Sequence, residues 1–385
     1  MRLSTVHAFF CGFLLLTVLS STSLRANMAN HVQAGDVIGE PSGILDSITV
    51  LNEHLQIDMT PLGTGERYGW VSAEYTIANN GAERTLPLVF LPGAMEVRYA
   101  TNGNQSVPDT AFTMEVTLDG NPVPIALAFT QTDSLPPQWR IPSRTPGLNG
   151  SDSVRYEARN EGVIRFTLQI PSGQHIVRVR YRAQPTSNSS GGRITKLWQF
   201  AYVLAPARQW GGFGTLDATV TVPTGWEVAT TPTMARSGDQ LKGKWQGIPA
   251  DAIAISVAMP TPGYLPYLDN GLPILASLLG ITLCWIVGSR VGKWLVRTNR
   301  TPGWSIPFAL LSGAAWALLV LVGMLLASSI VSNALGSQLA RGYGYGSAIA
   351  LVIVYMPGAF FVGTLLTVMA AYSSSKQAKK EGIEK

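Results

Sequence analysis

Between residues 198 and 214 the chain gathers Trp198, Phe200, Tyr202, Arg208, Trp210 and Phe213 with three glycines. Aromatic faces beside a guanidinium can stack on a sugar, a peptide or an aromatic ring. Tyr202, Arg208, Trp210 and Phe213 are therefore the candidate ligand-binding residues, the ligand itself being unknown. The same types also suit a core. Trp198, Phe200 and Tyr202 fall on one face of an extended chain, Trp210 and Phe213 can plug its end, and the glycines permit a tight turn.

Other chemistry is poorly represented. Residues 211–214 are not a phosphate loop, because they precede a strand pattern and no Lys-Ser/Thr follows. Arg178, Arg180 and Arg182 alternate with Val177, Val179 and Tyr181. Such a row is the solvated face of a strand, or a surface for an acidic partner or lipid headgroups. The four histidines, at 7, 31, 54 and 175, form no pair at ligand spacing. Asp36, Glu40 and Asp46 lack the spacing of a calcium loop. No metal, cofactor or catalytic residue is expected, and no Gly-x-Ser-x-Gly elbow occurs. Paired carboxylates of a glycan hydrolase leave no signature in one sequence. Such an enzyme would draw on residues 131–152 or 208–217, with Asp217 and Glu157 as its acids.

Three apolar runs, 271–289, 305–333 and 346–372, contain no charged residue. Each is long enough to cross a ~30 Å hydrocarbon core as a helix. Spans without ionisable groups argue against a transport path. Small residues recur four apart, as Ala309, Gly313 and Ala317 and as Ala359 and Gly363, so the helices can pack closely or dock a membrane protein partner. Residues 1–26 read as a secretory signal, with Arg2, an apolar stretch over 6–19 and cleavage after Ala26, or else as an uncleaved anchor. Arg290, Lys293, Arg297 and Arg300 follow the first run, and Lys376, Lys379 and Lys380 follow the third. The positive-inside rule then places both segments in the cytoplasm and residues 27–270 outside it. The net charge of +5 divides into +2 for 1–26, −4 for 27–270 and +7 for 271–385. The basic balance thus belongs to the membrane segments, and no nucleic-acid partner is expected. Cys11 and Cys284 both lie in apolar runs, so residues 27–270 fold without disulfides.

From 48 to 260 the pattern has a period of two, interrupted by turn residues, which predicts an all-β ectodomain: one large β-sandwich or two in tandem. Asp119-Gly120-Asn121 and Pro171-Ser172-Gly173 each predict a hairpin. An irregular lead-in over 27–44, a β lobe over 45–184, a polar linker over 185–192 and a second lobe or continuation over 195–262 complete the division. Residues 261–270 join it to the three membrane helices, and 373–385 form a cytoplasmic tail.

Tyr75, Asn79 and Gly81, followed by Leu88, Phe90 and Pro92, open the β region. With Pro171-Ser172-Gly173 before Val177, Val179 and Tyr181, this resembles uncharacterised bacterial envelope proteins built from a signal, a β-sandwich and C-terminal membrane helices. The resemblance covers most of residues 45–262 and implies a multi-pass protein of the bacterial inner membrane. The function expected is a binding or accessory subunit of an envelope complex. An envelope hydrolase and a non-conducting transporter subunit are the alternatives.

Overall fold

The computed structural model describes residues 45–90, 99–102, 105–108, 114–128, 142–148, 153–156, 163–188, 194–340 and 355–381. The expectations for 1–44, Glu157, most of 131–152, residues 189–192 of the linker, Arg341, residues 346–354 of the third apolar run and 382–385 of the tail fall outside these residues. The chain divides into a β unit, Asn30–Pro260, and a helical unit that includes Thr261–Lys385.

The strands run in chain order as β1 (Leu45–Asp58), β2 (Gly69–Asn79), β3 (Arg84–Phe90), β4 (Tyr99–Asn102), β5 (Gln105–Pro108) and β6 (Met114–Leu118). Then come β7 (Asn121–Pro122), β8 (Ile125–Ala128), β9 (Arg144–Thr145), β10 (Val154–Arg155), β11 (Val163–Ile170) and β12 (Gly173–Ala183). The rest are β13 (Thr186–Asn188), β14 (Leu197–Val203), β15 (Trp210–Thr221), β16 (Glu227–Thr231), β17 (Ala235–Ser237), β18 (Gln240–Gln246) and β19 (Ala252–Ala258).

One sheet of eight strands has the order β17-β18-β15-β1-β2-β12-β6-β7. It is mixed, since β1 runs antiparallel to β2 and parallel to β15. Sheets β13-β14-β19-β16 and β3-β11-β8 share its core, where Leu55 and Val179 meet residues such as Phe166, Phe200 and Ile255. Strands from both sides of the 185–192 linker join the large sheet, so 45–184 and 195–258 fold together and not as tandem bodies.

Alternation accounts for the large sheet. Val71, Ala73, Tyr75 and Ile77 of β2, and Val177, Val179 and Tyr181 of β12, face the core. β1 departs from the rule. Its pairing with β2 slips between Val50 and Asn52, leaving Leu51 as an extra residue. Ile48 and Val50 face inward before the slip, and Glu53, Leu55 and Ile57 after it. A regular strand would have buried Asn52 and His54 instead.

The expected hairpin at Asp119-Gly120 forms between β6 and β7, with φ of 50° and 80°, both positive as a two-residue turn of this hand requires. The one expected at Pro171-Ser172-Gly173 does not form: β11 and β12 belong to different sheets, so the chain crosses there from one sheet to the other. The Asp119 carboxylate accepts from His175 Nδ1 at 2.7 Å and from the Ile176 amide at 2.8 Å. Chiefly the His175 bond, then the Ile176 amide, holds this carboxyl below the usual carboxylate range. A lowered folded-state value adds stability above the unfolded carboxyl pKa, and that stability is lost as pH falls through the folded value. Asp119→Asn, which keeps a turn-compatible residue, should therefore cost stability at pH 7, by at most about 1 kcal/mol at this half-exposed site. The gap to wild type should close on acidification. Paired melts at pH 7 and in strong acid test this, and a gap unchanged by acid would refute it.

Three helices, α1 (Tyr264–Arg297), α2 (Ser305–Leu335) and α3 (Met356–Lys380), are each long and apolar enough to cross a bilayer, so this is a membrane protein. They run past the apolar cores. The joining segment 261–270 is helical from Tyr264, the basic connection remains helical to Arg297, and the tail is helical to Lys380. At 1.5 Å per residue, the 34-residue α1 is about 50 Å long, well beyond a ~30 Å hydrocarbon layer. The helices lock together at small residues. A Cβ on Gly288 would lie 2.4 Å from the Thr367 carbonyl oxygen, and one on Gly292 2.3 Å from that of Ala371. A Cβ on Gly363 would lie 3.0 Å from Gly313 Cα, so two of the expected small residues face each other. The Ser312 and Thr367 hydroxyls, 2.6 Å apart, bond α2 to α3. Arg300 lies 4.5 Å from the Trp304 ring and 5.1 Å from that of Trp294, a cation–aromatic cluster suited to a membrane boundary.

Candidate functional site

The four residues singled out in the sequence part company. Tyr202, on β14, is 1% exposed. Its hydroxyl donates to Glu53 Oε1 at 2.8 Å and lies 2.6 Å from the Tyr75 hydroxyl. Trp210, the first residue of β15, is buried in the same core, and Phe213 packs half-exposed against it. Arg208 stands on the surface, paired with Asp251. The backbone carbonyl of Asp251 also takes the amides of Leu204 and Ala205, so the pair clips this turn to the start of β19. The glycines do not make a turn: Gly211, Gly212 and Gly214 lie within β15. A Cβ on Gly214 would sit 2.1 Å from the Leu51 carbonyl oxygen, and one on Gly212 3.0 Å from Thr49 Cγ2. Glycine here admits the bulge of β1. Asp217 points to the solvated face, 3.4 Å from Lys244 Nζ and 3.7 Å from His54 Nδ1.

β14 is buried at all seven positions, on both faces. Trp198, Phe200 and Tyr202 enter the main core. On the other face Gln199 donates to Thr145 Oγ1 at 2.7 Å and to the Arg155 carbonyl at 3.0 Å. The hairpin of β9 and β10, from the proline-rich stretch, thus covers a strand that sequence alternation left half-solvated.

A better-equipped site forms where Asp58, Trp70 and Arg182 are register neighbours at one end of the large sheet. Tyr68 and Trp70 meet edge to face, with centroids 6.1 Å apart. The Arg182 guanidinium lies 3.5 Å from the Tyr68 ring centroid, and that of Arg180 lies 4.6 Å from the Trp70 ring. Gly65, Glu66, Arg67, Tyr68, Arg182, Ala183 and Gln184 line a recess of about 350 Å³. Lys196 stands close by, half-buried, with its ammonium 5.6 Å from the Trp198 ring. Burial, and then the charge of Arg67, lowers its pKa below the usual lysine value. None of Tyr202, Arg208, Trp210 and Phe213 lines this recess.

The arginine row is thereby resolved residue by residue. Arg178 is exposed and bonded to Glu74, Arg180 is exposed over Trp70, and Arg182 is 8% exposed over Tyr68. The first two match the expected solvated face; Arg182 departs from it, with the Tyr68 ring stacked on its guanidinium. Tyr68 and Trp70, two apart at a strand start, were the available signal, but only the β2–β12 register sets them against Arg182. The site can hold an anion by charge and hydrogen bonds. Among the described residues, no group of three or more His, Cys, Asp or Glu could hold a metal ion.

No protein-family model and no curated protein matches this chain. Solved structures do match in shape. A structure described as a candidate nutrient-binding protein of Legionella pneumophila is 13% identical with a TM-score of 0.39, over 64% of this chain and 77% of that one. Yeast LTA4 hydrolase is 11% identical with a TM-score of 0.29, over 55% of this chain and 28% of that one. An M1 zinc metallopeptidase of Deinococcus radiodurans is 12% identical with a TM-score of 0.26, over 54% of this chain and 42% of that one. The chain spans less than half the length of either of the last two. With TM-scores below 0.5, none of these likenesses carries a conclusion about this chain.

Proposed function

We propose that this protein is a binding or accessory subunit of a bacterial envelope complex. A β-sandwich outside the cytoplasm is carried by three helices in the inner membrane, as in the envelope proteins it resembles. The reading rests above all on the anchor. A single span would tether a domain, whereas here Gly288 and Gly292 seat α1 against the backbone of α3, and Gly313 meets Gly363. This interlocked bundle turns apolar residues such as Leu311, Leu318, Leu325 and Phe361 outward, where lipid or a membrane partner can cover them. Arg290, Lys293, Arg297 and Arg300 favour a cytoplasmic first connection and C-terminus, with 27–270 on the far side. Support for the sandwich comes from the common core of the large sheet and β13-β14-β19-β16.

The test is purification of the tagged full chain from native membranes in mild detergent, with mass spectrometry of what accompanies it. A stoichiometric membrane partner is expected, lost when the outward leucines Leu311, Leu318 and Leu325 are changed to alanine. A clean single species would count against an accessory subunit.

A further inference from the structure

The recess beside Tyr68 and Arg182 lies within the β unit. We propose that it binds the phosphate group of an anionic ligand, with Arg67, Arg182 and Lys196 as its donors.

Three cations reach this end of the β unit from three separate stretches of chain. Arg67 precedes β2, Arg182 is the last residue but one of β12, and Lys196 precedes β14. Of the acids, Glu66 lines the recess, and Glu115 stands opposite Arg180 in the register. Asp58 stands opposite Trp70, and its carboxylate accepts from the Thr60 amide and hydroxyl at 2.9 and 2.6 Å. Arg182 is oriented by its aromatic neighbour. One guanidinium face lies on Tyr68, and its in-plane N–H groups are the part that can reach oxygen. Lys196 comes in from the side: its ammonium lies 5.6 Å from the Trp198 ring, and Trp198 lines a small cavity together with Pro185, the neighbour of Gln184 in the recess lining. The Arg67 charge adds to the lowering of its pKa, and an anion between the two cations would relieve that repulsion. A carboxylate offers two oxygens in one plane. A phosphate offers oxygens in several directions, which suits donors arriving from separate segments. Gln184 adds an uncharged amide to the lining.

A lipid headgroup or a soluble phosphate ester could supply this chemistry. Leu197 pairs with Ala258 at the end of β19, and only residues 259–263 separate that strand from α1. Lys196 thus precedes a strand paired with the last strand of the β unit, and the lipid and soluble sources are separated by experiment.

The full chain is reconstituted in phosphatidylcholine nanodiscs, and amide exchange is followed over residues 65–70 and 180–186. One arm replaces the lipid with phosphatidylglycerol. A second adds glycerol 3-phosphate to phosphatidylcholine discs, and a third adds succinate at equal ionic strength. Slower exchange in the first or second arm is expected, and the responding arm names the source. Arg67→Gln and Lys196→Gln should each weaken the response by about tenfold or more, since each removes a charge-assisted donor. Arg178→Gln, which removes only the partner of Glu74, should leave it intact. Absence of protection in both phosphate arms would overturn the proposal. So would equal protection by succinate, or protection that survives both Arg67→Gln and Lys196→Gln.

Discussion

Gly214→Ala should be among the most damaging single-methyl changes in the β unit, costing roughly 3 kcal/mol. The added Cβ would sit 2.1 Å from the Leu51 carbonyl oxygen, 3.0 Å from its carbonyl carbon and 3.4 Å from its Cα. All three are backbone atoms, so no rotamer change relieves the overlap. Either β1 or β15 must move, and these strands are central neighbours in the eight-stranded order. Moving them disturbs the parallel ladder and the bulge that sets which residues of β1 face the core. Domains typically have only about 5–15 kcal/mol of stability, so such a loss should be plain. Gly212→Ala is the internal comparison, because its Cβ would meet the Thr49 side chain, with the methyl at 3.0 Å and the hydroxyl oxygen at 3.4 Å, and no backbone atom is among its three nearest neighbours. Urea-dependent proteolysis of the full chain in detergent should rank the variants wild type, Gly212→Ala, Gly214→Ala. Equal midpoints for the two variants would remove the bulge from its structural role.

The same bulge marks the limit of what the sequence discloses. Strands such as β2 and β12 announce themselves, because apolar and polar residues alternate over Val71–Ile77 and Val177–Arg182. The three membrane helices are equally plain, since their apolar runs exceed any soluble helix's need. Their true ends are not, because helical hydrogen bonding continues through Arg297 and Lys380 where the hydropathy has already fallen. β1 conceals its inward set. One extra residue at Leu51 exchanges His54 for Glu53 in the core, and local composition does not reveal a slip that depends on the partner strand. The aromatic cluster at 198–214 misleads in a related way. Its residues lie together in sequence, yet Tyr202 and Trp210 point into the core while Arg208 stays at the surface. The recess inverts that case, for Arg67, Arg182 and Lys196 lie far apart in sequence and only sheet pairing gathers them. Gln199 completes the picture, because its buried amide makes sense only once the β9–β10 hairpin covers β14.

Tyr202→Phe should cost about 2–3 kcal/mol although it leaves the ring in place, because the missing hydroxyl has two buried partners. Glu53 is 0% exposed and Tyr75 3%, so no water replaces the lost bonds without opening the core. The substitution strips the 2.8 Å bond from Glu53 Oε1 and the 2.6 Å contact from the Tyr75 hydroxyl together. Tyr75→Phe removes the second while leaving the Glu53 bond in place, and should cost about 1 kcal/mol. Since both act in one chain of bonds, the double variant should fall short of the sum of the two single costs. Thermal melts of the three variants in the full chain decide this. A Tyr202→Phe cost no larger than that of Tyr75→Phe would mean that Glu53 does not depend on the hydroxyl. The consequence reaches the recess. Tyr202 joins β14, which follows Lys196, to β1 and β2 of the sheet that carries Arg182. If these bonds fix the two sheets against each other, Tyr202→Phe should also blunt phosphate-dependent protection of residues 65–70, despite contributing no group to the recess itself.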